Sequence, residues 1–223
     1  MKRVFDIVLS LSGLMLLAPV LIFIGVMVKA TSPGPAFYRG GRVGRLGKSF
    51  RIFKFRSMVA NAETLGGSST ADDDMRITWF GRLLRKSKLD EIPQLLNVLW
   101  GHMSLVGPRP EVQEYVDMYT DEEQLILSLR PGITDWASIW NSDEGAIQKG
   151  THDPDRVYLE LIRPTKLKLQ LLYARKRNVW VDCTIICFTL LKLVRRDDRL
   201  PAELESFERL TPTAPGVAMR KAA

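Results

Sequence analysis

The most apolar part of the chain is its N-terminal segment. Residues 7–28 contain no charged side chain, and a straight helix of that length would measure about 33 Å, enough to cross the core of a bilayer. Pro19 lies near the middle of the segment and cannot complete the hydrogen-bond ladder of a helix there. Three interpretations fit this pattern: a cleavable signal peptide, a helix that spans the membrane, and a re-entrant helix–break–helix over residues 1–30.

The distribution of positive charge favours the re-entrant interpretation. Lys2 and Arg3 precede the apolar segment, whereas Lys29 and a dense basic run follow it. The positive-inside rule therefore draws both ends of the segment to the cytoplasm. The halves on either side of Pro19 would each measure only about 15–18 Å as helices, so each would reach only about midway through the bilayer. We accordingly predict a monotopic membrane protein that enters one face only, with the break at Pro19.

The rest of the chain shows mostly helical periodicity, with one short β-hairpin. Two runs rich in aromatic residues, 37–39 and 50–55, flank the glycine-rich segment 40–47 and predict two strands joined by a long loop. Apolar residues at helical spacing predict helices over the segments 77–86, 92–99, 112–130, 157–172 and 179–194. The last of these is short for spanning and has basic residues at both ends, so it predicts an amphipathic interfacial helix. The predicted fold class is α+β and mostly helical.

Composition divides the chain into three parts. After the membrane segment 1–30, residues 31–196 carry the remaining apolar periodicity and predict one cytoplasm-facing domain with interfacial helices. From residue 197 the sequence is polar, contains Pro201, Pro212 and Pro215, and has no apolar period. This composition predicts a disordered tail over residues 197–223.

The net charge narrows the range of partners. The chain has 223 residues and a formal net charge of +7, which implies nucleic acid, an anionic membrane or a phosphorylated substrate. Basic residues are dense between 38 and 56, where aromatic residues alternate with them, and this pattern also suits nucleic-acid binding. Because the patch follows a membrane segment, we favour lipid headgroups and phosphate. The two cysteines, Cys183 and Cys187, are too few for a zinc site or a disulfide framework.

The candidate chemistry centres on an acid pair. Asp90 and Glu91 lie at the beginning of an amphipathic helical pattern, and a helix N-terminus favours anions. Further on, the prolines of Gly107-Pro108-Arg109-Pro110 stiffen the backbone around Arg109, whose guanidinium fork matches the geometry of phosphate. Together these residues suggest phosphoryl transfer. The alternative is a purely structural role, with Asp90 in a capping box and Glu91 as a first-turn acid.

Several motifs carry a resemblance to a known family. The string KLDEIPQLLNVLWGHMSLVGPRPE over residues 88–111, the element KFRSM over 54–58 and the turn PGIT over 131–134 resemble motifs of the bacterial sugar transferases, the small monotopic phosphoglycosyl transferases. The N-terminal KRVFD and the proline within the apolar segment are similar to that family's re-entrant membrane helix. The resemblance extends from Lys2 to about Arg196.

This resemblance implies an activity and a location. Members transfer a sugar-1-phosphate from a nucleotide (UDP-) sugar to a polyprenyl phosphate, such as undecaprenyl phosphate, and release UMP. The reaction is a ping-pong transfer through a phosphosugar-aspartate and forms the first membrane step of polysaccharide or glycoconjugate synthesis. The protein is then expected on the cytoplasmic face of a bacterial inner membrane, with both termini in the cytoplasm and no nucleic-acid partner.

The resemblance also implies roles for individual residues. Asp90 is expected to be the nucleophile, and Glu91 the ligand of Mg²⁺, a hard cation that takes oxygen ligands. Phosphate oxygens are expected to bind four cations: Lys54, Arg56, Arg85 and Arg109. The segment 31–196 would then be the catalytic domain. A homodimer is a further possible partner arrangement.

The sequence departs from the family pattern at two places. Ala18 precedes Pro19 where many members have serine, so a hydroxyl that could bond at the bend is absent. After PGIT the family usually continues GWAQVNGR, whereas this chain continues DWASIWNS, so Ser142 replaces an arginine expected to bind phosphate. Two rival functions remain: a membrane-tethered nucleic-acid-binding protein that uses residues 38–56, and a non-catalytic scaffold for envelope-polysaccharide assembly.

Overall fold

The computed structural model describes residues 2–141 and 144–195. The chain divides into two compact units: unit 1 comprises Met1–Gly66 and Met75–Ile133, and unit 2 comprises Gly67–Asp74 and Thr134–Ala223, each as far as it is described. The described secondary structure is mostly helical with a few short strands, which confirms this part of the predicted fold class. The predicted tail, residues 197–223, and Ser142 lie outside the described residues.

Unit 1 contains the apolar N-terminal helix, the hairpin and the segment with the acid pair. Its regular elements in chain order are α1 (Lys2–Thr31), β1 (Phe37–Tyr38), β2 (Gly41–Val43), β3 (Ser49–Arg51), β4 (Lys54–Phe55), α2 (Ala62–Leu65), α3 (Trp79–Ser87), α4 (Gln94–Leu99), β5 (Ser104–Val106), α5 (Gln113–Val116), α6 (Gln124–Leu127) and β6 (Gly132–Thr134). The first two residues of β6 belong to unit 1, and the strand pairs with β5. Two 3₁₀ turns, Arg45–Gly47 and Leu89–Glu91, connect neighbouring elements.

Helix α1 is long and apolar enough to cross a membrane. The side chains of Met15, Leu16 and Ile22 are about 70–80% exposed along it. The helix continues through Pro19, so the break that we predicted at this residue is not observed as an interruption. A proline inside a helix removes one backbone hydrogen bond, and the turns on either side can still continue. The helix alone therefore does not confirm the re-entrant path.

Polar side chains hold the first turns of α1 against unit 1. The buried carboxylate of Asp6 accepts hydrogen bonds from Ser104 Oγ at 2.8 Å and from Leu105 N at 3.2 Å. Arg3 donates to the carbonyl oxygens of Val98 at 2.6 Å and Leu99 at 3.0 Å, at the end of α4. Backbone carbonyls at a helix C-terminus lack intrahelical donors, so a cation there is well placed. The N-terminal end of the apolar helix is thus fixed by hydrogen bonds that require a buried acid.

Apolar packing holds the other end of α1. Ile24 and Val28 are buried in one cluster with Phe55 of β4 and with Phe80 and Leu84 of α3. A second cluster lies between the hairpin and α4 and contains Phe50, Ile52, Val98 and Met103. Burial of side chains of this size contributes about 1.5–3 kcal/mol each. Both ends of α1 are therefore integrated into unit 1.

The predicted hairpin is confirmed, and its loop is more ordered than expected. β1 pairs antiparallel with β4, and β2 pairs antiparallel with β3. The glycine-rich segment 40–47 therefore contains a strand, β2, and a 3₁₀ turn rather than only a loop. Gly47 has φ 74°, a conformation that favours glycine, and it allows the chain to reverse direction here.

One predicted helix of unit 1 is wrong. The segment 112–130 forms two short helices, α5 and α6, instead of one. The reason is a capping box between them: Thr120 N donates to Glu123 Oε2 at 2.8 Å, and Glu123 N donates to Thr120 Oγ1 at 3.3 Å. This reciprocal pair satisfies amide groups at the beginning of a new helix. The predicted helix 77–86 corresponds to α3. The predicted helix 92–99 corresponds to α4, which follows the turn Leu89–Glu91.

Unit 2 is helical in its described part. Its elements are α7 (Trp136–Trp140), α8 (Glu144–Ile147), α9 (Pro154–Val157), α10 (Arg163–Lys176) and α11 (Val179–Arg195), with a π-helical turn at Tyr158–Ile162 between α9 and α10. The predicted helix 157–172 lies within this helical stretch, and α11 confirms the predicted helix 179–194. Tyr173 donates to the buried Asp182 at 2.7 Å and joins α10 to α11. The interfacial placement of α11 stays a prediction.

Candidate active site

The acid pair lies in a tight turn between two helices. α3 ends at Ser87, and Lys88 adopts a left-handed conformation with φ 57° while its N–H donates back to the carbonyl of Arg85. The chain then forms the 3₁₀ turn Leu89–Glu91 and enters α4 through Pro93. Proline suits the beginning of a helix, where the first amide groups have no intrahelical partner. Local sequence therefore places Asp90 and Glu91 side by side at the beginning of a helical segment.

Glu91 binds two cations from distant parts of unit 1. Its Oε1 accepts a hydrogen bond from Lys54 Nζ of β4 at 2.7 Å. Arg109 forms a bidentate pair with the same carboxylate: NH1 donates to Oε2 at 3.0 Å, and NH2 donates to Oε1. The exposed fractions of the three side chains lie between 16% and 28%. Such partial burial strengthens the attraction between the charges compared with a pair in bulk water.

The two cations set the charge of Glu91. Burial raises the pKa of its carboxyl, but Arg109 and then Lys54 outweigh this effect and hold the pKa well below its usual range. Burial in turn lowers the pKa of the Lys54 ammonium, while the charge of Glu91 opposes that decrease. Glu91 is therefore a permanent anion at neutral pH, held between two donors.

Asp90 has a different environment from its neighbour. It is 6% exposed, and its Oδ1 is buried with no hydrogen-bond partner among the described residues. Burial, and then the charge of Glu91, raises the pKa of the Asp90 carboxyl, although Lys54, Arg85 and Lys88 oppose the increase. When ionised, a carboxylate with so few hydrogen bonds keeps its lone pairs available to an electrophile. Two adjacent acids whose environments differ in this way suit two different chemical roles.

Three of the four cations expected at the site lie near the acid pair. Lys54 and Arg109 bind Glu91, and Arg85 is close enough to act electrostatically on Asp90. They come from β4, from the proline-flanked loop after β5, and from α3. Three cations around two carboxylates leave an excess of positive charge, which suits a phosphate or diphosphate group.

Arg56 binds protein oxygens near the end of α1, and its expected role as a phosphate ligand stays a prediction. The residue is 5% exposed, and NH2 donates to Ser32 O at 2.7 Å and to Ser32 Oγ at 2.8 Å, while NH1 donates to Pro33 O at 2.7 Å. NH2 also reaches Val28 O at 3.4 Å. These acceptors surround the C-terminal end of α1, where free carbonyl groups carry partial negative charge. Arg56 therefore caps the apolar helix, although its sequence neighbourhood suggested a phosphate contact.

Sequence reasoning missed one residue that supports the site. Asn97 of α4 is fully buried; its Oδ1 accepts a hydrogen bond from Phe53 N at 2.8 Å, and its Nδ2 donates to Arg51 O at 2.8 Å. These bonds hold the backbone just ahead of Lys54 and so fix the strand that supplies this cation. The sequence signal that could have identified Asn97 is a polar residue within the apolar helical pattern. A buried amide needs hydrogen-bond partners, so such a residue indicates a structural contact.

The acid pair could supply a carboxylate ligand to a magnesium ion whose other ligands are water and phosphate oxygens. Among the described residues, Glu91 Oε2 accepts one hydrogen bond and retains a lone pair. No cluster of three or more His, Cys, Asp or Glu occurs in the described ranges. Mg²⁺ commonly binds through one or two carboxylates together with waters and substrate phosphates, so a larger cluster is not required.

Known proteins similar to this chain belong to the same family that the motifs resemble. A family model described as "Bacterial sugar transferase" matches residues 1–196. The chain is 35% identical over 192 residues to the UDP-N-acetylgalactosamine-undecaprenyl-phosphate N-acetylgalactosaminephosphotransferase of Aeromonas hydrophila, covering 85% of this chain and 42% of that protein. It is 36% identical over 197 residues to the UDP-glucose:undecaprenyl-phosphate glucose-1-phosphate transferase of Escherichia coli K12, covering 86% of this chain and 40% of that protein.

A third relative matches over nearly its whole length. The uncharacterized sugar transferase EpsL of Bacillus subtilis strain 168 is 32% identical over 194 residues, which cover 87% of both chains. In contrast, this chain spans only about two fifths of the length of the Aeromonas and Escherichia proteins. The acid pair and the three cations near it lie within the residues 1–196 that the family model matches.

The cap formed by Arg56 makes a prediction about stability. Arg56→Gln should lower the free energy of unfolding by about 1–3 kcal/mol, because the carbonyl groups of Ser32 and Pro33 lose a charged donor that is itself buried. Urea unfolding in a mild detergent measures this change. The matched control is Arg51→Gln, an exposed position of β3, which should stay within about 0.5 kcal/mol of the parent. Equal effects of the two substitutions would contradict the cap.

Proposed function

The chain belongs to the bacterial sugar transferase family, and from this premise we propose that it transfers a sugar-1-phosphate from a UDP-sugar to undecaprenyl phosphate. The products are an undecaprenyl-diphosphate sugar and UMP. The observation that carries the proposal is the contrast within the acid pair: Glu91 is bound by Lys54 and Arg109, while the neighbouring Asp90 keeps a buried oxygen without a hydrogen bond among the described residues.

The proposed first half-reaction uses Asp90 as the nucleophile. One oxygen of its carboxylate attacks the phosphorus that carries the sugar, a P–O bond forms, and the bond to the UMP oxygen breaks. UMP leaves with the electron pair of that bond. A carboxylate can attack a phosphate only if nearby positive charge reduces their repulsion, and the surrounding cations supply this. In the second half-reaction, a phosphate oxygen of the lipid attacks the same phosphorus and releases the carboxylate of Asp90.

The cations near the pair would bind the phosphate oxygens of the donor. Lys54 and Arg109 are held in place by Glu91 before any substrate binds, so little side-chain entropy would be lost when a diphosphate arrives. Arg85 would contribute from α3 on the side of Asp90. Mg²⁺, with Glu91 as its protein ligand, would supply further charge neutralisation at the diphosphate.

The arrangement of α1 supports a location on one face of the membrane. The Asp6 end and the Val28 end of this helix both contact unit 1, although 30 residues of helix measure about 45 Å. A helix that crossed the bilayer would carry one of these ends to the far side, away from the unit that it contacts. In the one-face arrangement, the exposed apolar side chains in the middle of the helix would instead enter the membrane from one side only. We propose the cytoplasmic face of the bacterial inner membrane, because Lys2, Arg3 and Lys29 flank the segment.

The covalent step makes the first prediction for this function. Labelled UMP should exchange into unlabelled UDP-sugar in the presence of enzyme and Mg²⁺ and without lipid, since the first half-reaction is complete by itself. UDP-N-acetylgalactosamine, UDP-glucose and UDP-galactose should be tried in turn. Asp90→Asn should abolish the exchange, at least about 1000-fold, because an amide is a poor nucleophile. The dissociation constant of UDP, measured by calorimetry, should change by only a few-fold because the cations remain.

Other results would select another function or mechanism. Brisk turnover with lipid but no exchange without it would favour direct attack by the lipid phosphate in a ternary complex. Absence of both activities with every donor would contradict the proposed transfer. Binding of RNA that falls steeply with salt and survives Asp90→Asn would instead favour the nucleic-acid alternative.

The proposed metal ligand makes a second prediction. Chelation of Mg²⁺ should stop the exchange, and Glu91→Gln should raise the Mg²⁺ concentration for half-maximal exchange about 10-fold, since the ion loses a charged ligand. A titration of exchange rate against Mg²⁺ measures both effects. Glu114→Gln, at an exposed position of α5, is the control and should leave the titration unchanged. A Glu91→Gln protein with a normal Mg²⁺ titration would exclude Glu91 as the ligand.

The one-face arrangement makes a third prediction. In a background without Cys183 and Cys187, single cysteines introduced by Lys2→Cys and Ser49→Cys should both be protected from an impermeant thiol reagent in intact cells. Both should react after the cells are permeabilised, which controls for buried thiols. Labelling of the first variant alone in intact cells would show that α1 spans the membrane.

A further inference from the structure

We propose that Gln94 is a positioning residue for Asp90, and that it acts through an ordered water that joins its side-chain amide to Asp90 Oδ1. The inference rests on the proposed function, in which Asp90 attacks phosphorus. Three observations carry it: the path of the backbone between the two residues, the burial of both, and the hydrogen-bonding capacity that neither uses within the described chain.

The backbone places the two side chains on one face of a helical segment. The 3₁₀ turn Leu89–Glu91 is followed by Ile92 at φ −56° and ψ −36° and by Pro93 at φ −59° and ψ −15°, and α4 begins at Gln94. The chain is therefore right-handed helical from residue 89 to residue 99. In an α-helix, residues four apart are neighbours on one face, and the tighter 3₁₀ turn at Asp90 still keeps the two residues within about one helical turn of each other. Asp90 and Gln94 have this spacing.

Gln94 is buried without a protein partner for its amide. The residue is 0% exposed, and within the described residues neither Oε1 nor Nε2 makes a hydrogen bond. Buried amide groups almost always have partners, and those without one in the protein typically bind an ordered water or a ligand. Asp90 Oδ1, one helical turn away, is in the same condition.

Asn97, the next buried polar residue of this helix, provides a comparison, because its amide has a structural role. Asn97, three positions after Gln94, is also 0% exposed, but both of its side-chain polar atoms bind backbone groups of Phe53 and Arg51. The same buried face therefore carries one amide fully used for folding and one amide next to the nucleophile with its capacity unused. This difference separates Gln94 from an ordinary core amide.

A single water can satisfy all three unbonded atoms. It would donate one hydrogen to Asp90 Oδ1 and the other to Gln94 Oε1, and it would accept from Gln94 Nε2, which gives the usual number of bonds for a buried water. Bonded in this way, Oδ1 is fixed, and the rotamer of Asp90 keeps its second oxygen in one direction. A nucleophile held in one orientation reacts faster than one that samples several, while substrate binding is unaffected.

The test uses Gln94→Met, which keeps the length of the side chain and removes the amide. We expect the turnover number of the UMP exchange to fall about 10- to 100-fold, with the KM for UDP-sugar within about 2-fold of the parent, because only orientation is lost. The melting temperature should equal or exceed that of the parent, since no protein group loses a partner. Gln94→Asn keeps an amide and should recover part of the turnover number.

A matched control uses the same substitution at a buried glutamine that has a protein partner. Gln148 is 1% exposed and donates from Nε2 to Pro154 O at 3.2 Å. Gln148→Met should lower the melting temperature by a few degrees, because that carbonyl loses its donor, and should leave the exchange rate per folded molecule within about 2-fold.

The outcomes separate this inference from the proposed function. If the parent exchanges UMP and Gln94→Met exchanges equally fast, the positioning role is wrong and the transferase function stands. A lowered melting temperature, with exchange reduced only in proportion to folded protein, would make Gln94 a structural residue and overturn the inference. If the parent shows no exchange, the proposed function fails first.

Discussion

Unit 1 depends on the balance of charge around a partly buried acid pair. Glu91 can stay ionised away from bulk water only because Lys54 and Arg109 bind it, and loss of either cation would leave a poorly compensated charge. The three residues come from the hairpin, the turn before α4 and the proline-flanked loop, so one ionic contact joins parts of the chain that are distant in sequence. Asp90 Oδ1 has no hydrogen-bond partner in the described chain, so the two adjacent acids differ in their environments.

A related constraint governs α1. Hydrogen bonds fix both ends of this apolar helix to the rest of unit 1. Asp6 and Arg3 form hydrogen bonds at one end, and Arg56 binds the carbonyl groups at the other. Between these ends, many apolar side chains of the helix are exposed. Phe55 of β4 packs against Ile24 and Val28 of α1, so the strand that carries Lys54 also contacts this helix.

The errors of sequence reasoning have identifiable physical causes. The segment 112–130 was predicted as one helix, yet residues 120–124 contain no apolar side chain, and Thr120 and Glu123 have the spacing of a capping box. The sequence therefore carried a signal for two helices that the prediction overlooked. Arg56 is expected to bind phosphate because the KFRSM element resembles a family motif, and the sequence alone does not show that Ser32 and Pro33 also bind its guanidinium. Asn97 and Gln94 were read only as parts of a helical pattern, because the burial of an amide depends on what packs against it.

The sequence by itself determined the features that rest on local or periodic physics. Apolar length identified α1, alternating aromatic residues identified the hairpin, and the motif around Asp90 and Glu91 identified the family. Only the tertiary structure decided how the charges are shared: that Lys54 and Arg109 bind Glu91, that Arg56 binds oxygens near the end of α1, and that Asp90 Oδ1 is buried without a hydrogen bond in the described chain. The physical reason is that ion pairing and desolvation depend on distances between residues far apart in sequence, which no local pattern encodes.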